Sequence, residues 1–429
     1  MRIAIIGGGA AGMITAYLLD QVHEITVFER QPLLGGNIRT LGGNVDCPAL
    51  PPGVALDCGV IEFSPEHFVK LHRLFADLGV ETRPVPAATG FIQGDGRHYL
   101  SLGKLATSRM PLRRRVAATL RLLGLGPALA RFRRRAARAD PEALYDTSLG
   151  DFLRDTRARG LGLGLGATRE AAFHEWLRLL LVYAYSIPRA EIDATPATMT
   201  IPTLLRFTGD VSWTSVVGGI YRYIAAITER LRGEVITGVD VEAIRRDADG
   251  VELRRRGAAP ERFDKVVLAA TPEQVLRLLT DPSDAERRRF AAWRGNDAVV
   301  QIHTDAGMYR RRGIVDYSEF DVFAAPPGYN AHLNRLCGLP SAAYGDPGAV
   351  DYHFSYNLES EVDPAALIHT QRHRTPGYTV AALASRPEIV ATNGDNHTYF
   401  AGAWLGDGLH EGAVTSALAV SERLGGRLL

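Results

Sequence analysis

The chain opens with a short apolar run, Arg2–Ile6, that enters Gly7-Gly8-Gly9-Ala10-Ala11-Gly12 and then continues with Met13, Ile14, Tyr17 and Leu18 at helical spacing. No other stretch constrains the fold as strongly. Consecutive glycines weaken a helix by about 1 kcal/mol each. The run therefore makes a poor apolar core for an export signal, and no small-residue cleavage site follows it. A buried strand, a glycine turn and a helix suit it better. Gly7, Gly9 and Gly12 form G-x-G-x-x-G. In that spacing the first glycine permits the tight turn and the second lets a pyrophosphate approach the backbone. The third lets helix and strand pack closely, with Ala10 and Ala11 at a helix N-terminus that faces the phosphates. A second strand over 24–28 ends in Glu29, 17 residues beyond Gly12, where a carboxylate can accept hydrogen bonds from ribose hydroxyls. The motif alone leaves nicotinamide and flavin dinucleotides both open.

A chain of 429 residues is long enough for two domains. The net charge of +1 selects no partner by long-range field, and nucleic acid has no support elsewhere in the chain. Three cysteines, Cys47, Cys58 and Cys337, are too few for a disulfide framework and point to a reducing cytoplasm. No Cys/His cluster has metal-ligand spacing, and no apolar run is long enough to span a membrane. The 49 basic residues include only three lysines, Lys70, Lys104 and Lys265. One segment is locally unbalanced: residues 104–138 carry eleven basic residues and no acidic one, interleaved with apolar residues as on an amphipathic helix pair. This segment is either a solvated helical lid or a contact for a membrane surface or an acidic acyl-carrier partner.

Further glycine-rich strings extend the first motif. "LLGGNIRT" follows Glu29, "LDCG" holds Asp57 and Gly59, and near the end "FAGAWLGDGLHEGAVTSA" reads as strand, glycine loop and helix. With "VSWTSVVGGIYRY", "VDVEAIRRDADGV" and "FDKVVLAATPEQVLRLL", these strings resemble the FAD-dependent superfamily of amine oxidases, protoporphyrinogen oxidases and phytoene desaturases. The strings His303-Thr304-Asp305 and Gly408 to Gly412 are most similar to those of bacterial proteins described as predicted NAD/FAD-binding oxidoreductases.

The resemblance implies an α/β fold: a Rossmann-like FAD-binding domain of the glutathione-reductase type with an inserted α+β substrate domain. The FAD domain is expected over 1–62, 214–285 and 393–429, and the substrate domain over 63–213 and 286–392. Non-covalent FAD would be held by Gly7, Gly9, Ala10, Ala11, Gly12, Glu29, Arg30, Gly35, Gly36, Asn37, Val241, Gly402, Ala403, Gly412, Ala413 and Val414. The last three would offer a helix N-terminus to the flavin pyrimidine edge. Some relatives carry an acid where this chain has Ala403, and amine oxidases often place a lysine near flavin N5, whereas no lysine follows Lys265 here.

Candidate catalytic residues are His410, Glu411, Trp404 and Tyr356. Each has a plainer reading: Trp404 as core packing, Glu411 on the helix dipole, and Tyr356 on a buried sheet face with Tyr352 and Phe354. His303 reads as a strand histidine. The expected activity is dehydrogenation or desaturation of a hydrophobic, lipid- or polyketide-like small molecule. A redox-neutral double-bond isomerase and a non-catalytic flavoprotein are the alternatives.

Overall fold

A computed structural model describes all residues except 87, 156–163, 210 and 315. The chain divides into two compact units, residues 1–83, 214–296 and 374–429, and residues 84–213 and 297–373. The first unit is built on a five-stranded parallel sheet in the order Thr398–Phe400, Lys265–Leu268, Arg2–Ile6, Glu24–Glu29, Glu234–Thr237. Ile3, Ala4, Ile5, Val266, Val267 and Leu268 are fully buried. That explains why these strands read as unbroken apolar runs: a parallel sheet is covered on both faces. Helices Ala10–Leu19 and His410–Arg423 pack together beside it.

The first boundary lies at residue 83, beyond the expected 62, because the intervening helix Val69–Leu78 belongs to the first unit. That helix buries Leu71, Leu74, Phe75 and Leu78 at helical spacing and ends on Gly79 in the left-handed region (φ 68°). Its N-terminal amides of Lys70 and Leu71 donate to the Glu411 carboxylate at 3.0 and 3.1 Å. The other boundaries, at 213, 296 and 373, leave residues 286–296 and 374–392 in the first unit as well. An ion-paired corner also stiffens this unit. The fully buried Arg246 guanidinium meets Asp281 at 3.2 Å and Glu286 at 2.5 Å, and Glu286 closes a capping box with Ser283.

The second unit carries a seven-stranded mixed sheet in the order Leu367–Gly377, Arg294–His303, His353–Tyr356, Pro327–His332, Phe320–Ala324, Thr89–Ile92, His98–Leu100. The register sets Ile302 opposite Phe354, Phe354 opposite Ala331, and Ala331 opposite Phe320, an apolar row. The next row joins His303, His353 and His332 on the opposite face. All three imidazoles are fully buried, and their rings follow one another at 5.4 and 5.3 Å. Burial pulls His303 down to about 4 and His353 well below its usual value, so both are neutral at pH 7. His303 is a satisfied strand histidine: its Nε2 lies 3.1 Å from Ser355 Oγ. The helices of this unit include Leu112–Leu123, Gly126–Ala136, Gly164–Tyr185 and Ala197–Phe207. Among the described residues no helix is long and apolar enough to cross a membrane.

Asp57 links the "LDCG" and "VVGG" strings. Its buried Oδ1 accepts from Thr40 Oγ1 at 2.6 Å and from the Ile220 amide at 2.9 Å. Burial pushes its carboxyl from 3.8 up to about 7. A folded-state value above the unfolded one means that the native state holds this proton more tightly. The associated stability is full below about pH 4 and is lost as pH rises through about 7. Asp57→Asn keeps the acceptor oxygen and removes the charge. Thermal unfolding across this window should therefore show a flatter pH dependence for the variant, with its gain over wild type greatest above pH 7. An unchanged slope would refute the assignment.

Candidate functional site

The carboxyl ends of Arg2–Ile6 and Glu24–Glu29 create the site. Gly7 takes φ +114°, and its amide donates to Phe28 O at 2.8 Å. A Cβ on Gly12 would lie 1.9 Å from Gly7 O, and one on Gly7 would lie 2.6 Å from Ala269 O. The second glycine string closes over the first. Gly35 donates to Gly8 O at 2.8 Å, and a Cβ on Gly36 would come within 3.0 Å of Gly9 Cα. Helix Ala10–Leu19 starts directly at this wall with no side-chain cap. The amides of Ala10, Ala11 and Gly12 thus lack an intrahelical acceptor and carry the positive end of the helix dipole. A wall free of side chains with outward amide donors fits a diphosphate.

Glu29 borders this wall. One carboxylate oxygen accepts from the Gly8 amide and the other from the Gln31 amide, both at 2.7 Å. This fixes the side chain and leaves lone pairs for ribose hydroxyls. Val241 is buried at the start of strand Val241–Asp247. Arg30 is exposed beyond the strand end. Asn37 is also exposed, and its amide is spent on the backbone of Arg374 at 2.9 Å, so it braces the loop. The residue that sequence reading passed over is Arg39, in "GGNIRT". It is only 7% exposed, and its Nη1 donates to the Leu34 and Ile38 carbonyls at 3.0 Å. Among the described residues no carboxylate lies within ion-pair distance of it, and burial lowers its pKa. A buried guanidinium with only the more distant charge of Glu29 to oppose it, beside a glycine cradle, suits an anionic diphosphate. The signal was present, an arginine three residues after two glycines, but its burial is a tertiary fact.

The C-terminal string forms a second border. After strand Thr398–Phe400, the Gly402 amide donates to Ser416 Oγ at 2.9 Å, and Ala403 opens a short 3-10 turn. Helix His410–Arg423 follows, with Gly412 so close to Gly406 that a Cβ on Gly406 would lie 2.6 Å from Gly412 Cα. Gly412, Ala413 and Val414 are buried there, but they do not present free amides. The Gly412 N–H donates to Asp407 Oδ1 at 2.9 Å, the Ala413 N–H donates to Leu409 O at 3.2 Å, and Val414 lies inside the helix. The free donors at this terminus belong to His410 and Glu411 instead. Asp407, in "LGDG", was another unmarked residue; a carboxylate on a helix N-terminus is easily read as loop solvation.

The catalytic candidates separate. Trp404 is buried beside Trp293 and Phe290, at ring distances of 5.3 and 6.1 Å. Its indole N–H has no acceptor among the described residues and faces Gly402, where a Cβ would lie 2.3 Å away. A buried donor beside the glycine strand fits a cofactor oxygen as well as core packing. His410 turns the other way, into Phe63 and Tyr223, and burial lowers it to about 4. It therefore holds no proton to give at neutral pH. Glu411 caps helix Val69–Leu78 with both oxygens, as described above. Tyr356, in the second unit, donates its hydroxyl to Ser186 O at 3.1 Å, and burial pushes it up to about 12. It pins the end of helix Gly164–Tyr185.

This geometry agrees with the comparisons. A model of the flavin containing amine oxidoreductase family matches residues 10–305, more than half of the chain, so the chain belongs to that family. It is an FAD-dependent oxidoreductase, and its fold is the mixed α/β fold of solved FAD amine oxidases. Putrescine oxidase bound to putrescine superposes with a TM-score of 0.69 at 13% identity, covering 99% of both chains. A fatty acid isomerase from P. acnes, described as CLA-producing, superposes at 0.68 with 16% identity, covering 98% of both. At these identities the likeness is one of fold. Among curated relatives, the chloroplastic/chromoplastic zeta-carotene desaturase of Zea mays is 51% identical over 39 residues, only 9% of this chain and 7% of that enzyme. An uncharacterized protein of Methanocaldococcus jannaschii matches over 10% of each chain at 46% identity.

The cradle makes two separable predictions. Gly12→Ala forces a Cβ against Gly7 O and should yield protein without bound FAD, read as loss of flavin absorbance after purification. Arg39→Gln should keep the fold and weaken FAD by about tenfold or more, the loss expected for a charge-assisted contact. Titration of apoprotein with FAD measures it, and unchanged affinity would remove Arg39 from the site.

Proposed function

We propose that the chain binds FAD non-covalently on a glutathione-reductase-type, Rossmann-like domain, the first unit, and dehydrogenates or desaturates a hydrophobic small molecule held by the second. When bound, FAD supplies the hydride-accepting chemistry. The cradle glycines and Arg39 would hold its diphosphate, Glu29 its ribose, and Trp404 an oxygen near Gly402. The chain has only three cysteines, Cys47, Cys58 and Cys337, too few for a disulfide framework, which supports a reducing, cytoplasmic setting. Cys337 is the last cysteine, so none is available in the C-terminal string for a thioether link.

The observation that carries the hydrophobic substrate is an aromatic ladder in the second unit. Tyr183 meets Phe320, Tyr329 and Phe207 at 5.0, 5.1 and 5.8 Å. Phe207 stacks on Trp213 at 5.6 Å, and Tyr329 stacks on Phe354 and Tyr356 at 5.7 and 5.3 Å. Tyr183, Phe207 and Trp213 are each only partly buried, so the ladder offers apolar faces to a ligand. All three lysines are engaged: Lys70 Nζ on Thr415, Lys104 Nζ on Asp316, and Lys265 Nζ on His397. None is left for the lysine role familiar from amine oxidation, which favours carbon–carbon chemistry. The structural likeness to a fatty acid isomerase supports the redox-neutral alternative, in which hydride leaves one carbon and returns to another.

The test is anaerobic mixing of holoprotein with unsaturated fatty acids and with primary amines. Bleaching of the flavin by an acyl substrate, with a product two hydrogens lighter, is the expected result. An isomer of unchanged mass with oxidised flavin selects the isomerase. Bleaching by amines alone would overturn the proposal.

A further inference from the structure

The basic segment splits in two once its partners are known. Lys104 is buried and pairs with Asp316 at 2.7 Å. Arg131 pairs with Glu170 at 3.3 Å and Arg135 with Asp155 at 2.7 Å. Lys104 is thus buried, and both arginines are spent on carboxylates. Helix Leu112–Leu123 differs: Arg113 and Arg114 are exposed and have no ion pair among the described residues. The same helix exposes Leu112, Val116, Leu120 and Leu123 at 67, 49, 62 and 61%. Their spacing of four, four and three residues places all four on one stripe. Ala118 and Leu122 form the opposite, packed face, against Leu100 and Leu105. Just before this helix, Leu102 is 69% exposed. Five of the fourteen large hydrophobic side chains exposed among the described residues thus fall between 102 and 123. Scattered exposed leucines are ordinary, whereas a stripe of them is not.

A recess of about 260 Å³ opens beside the stripe, lined by Arg97, Tyr99, Leu120, Arg121, Thr168 and Arg169. Leu120 belongs to both features. Arg97 spends its Nε on Asp95 at 2.8 Å, and Arg121 donates to His98 O at 3.3 Å. Arg169 is exposed at the rim of the same recess. Three guanidinium groups around a small opening select a phosphate-sized anion.

From these features we infer that helix Leu112–Leu123 is an in-plane anchor for an anionic lipid bilayer, with a lipid phosphate seated in the Arg97–Arg121–Arg169 recess. An apolar stripe flanked by unpaired arginines is the pattern of a helix lying at the headgroup boundary. The arginine stems can lie along the apolar surface while their heads reach phosphates. An acidic acyl-carrier partner would satisfy the charges but gives the leucine stripe no reason to stay exposed. The surface uses none of the residues assigned to the flavin site, so it stands or falls independently of turnover.

The test is sedimentation of full-length holoprotein with sucrose-loaded vesicles of phosphatidylcholine, with and without phosphatidylglycerol. Binding is expected only with the anionic lipid, and it should fall as salt rises. Leu120→Ser with Leu123→Ser should abolish it while leaving the flavin spectrum intact, because both side chains are exposed. Arg97→Gln, Arg121→Gln and Arg169→Gln should each weaken it about fivefold, and inorganic phosphate at fixed ionic strength should weaken it no more than these substitutions do. Four results would overturn the inference: no binding to anionic vesicles, equal binding to neutral ones, indifference to the leucine pair, or complete release by inorganic phosphate at fixed ionic strength. Retention by an acidic acyl-carrier protein without vesicle binding would replace the bilayer with that partner.

Discussion

The absence of a single Cβ organises the first unit. Gly12 lies so close to Gly7 O that any larger residue would need the strand and the first helix to separate. Held together, they aim the helix N-terminus along the strand ends and bring Gly7 beside Ala269 of the neighbouring strand. Gly35 and Gly36 can then lie directly on Gly8 and Gly9, and the wall acquires its second layer. Glu29 is fixed by the amides of Gly8 and Gln31, so in the proposed reading ribose and phosphate recognition would come from one piece of backbone geometry. Electrostatics follows the same geometry. Uncapped amides and a buried Arg39 without a close ion pair favour negative charge at the wall.

The neighbouring His410 and Glu411 show how little a position in a motif says about chemistry. Both open the last helix, yet their side chains leave in different directions. Glu411 serves another helix as its cap, and His410 enters a ring cluster where burial keeps it neutral. Neither faces the glycine wall. The protein can dispense with a strong acid or base there because hydride chemistry belongs to the cofactor. What the polypeptide must supply is orientation, exclusion of water and an apolar seat. In the proposed reading, the ring ladder from Trp213 through Tyr183 to Tyr356 would supply that seat.

The sheet of the second unit separates its two faces by register. One row is Ile302, Phe354, Ala331 and Phe320; the next is His303, His353 and His332. The alternation in "VVQIHT" and "DYHFSYN" is the pattern of a strand, but the period alone does not say that both faces would be buried. Likewise, the run of arginines over 104–138 announced a basic surface. Only the contacts showed that Lys104, Arg131 and Arg135 are spent on carboxylates while Arg113 and Arg114 have no ion pair among the described residues.

The sequence by itself determined the dinucleotide cradle, its acidic ribose partner, the family and the strand–helix order of the first unit. These depend on local rules: where a Cβ is forbidden, where a helix begins, which runs are apolar. The tertiary structure decided what depends on neighbours distant in the chain. It gave helix Val69–Leu78 to the first unit through Glu411, buried Arg39 without a close ion pair, spent the Gly412 amide on Asp407, and tied Tyr356 to Ser186. A hydrogen bond or a burial is a property of two surfaces brought together, and a linear pattern carries only one of them.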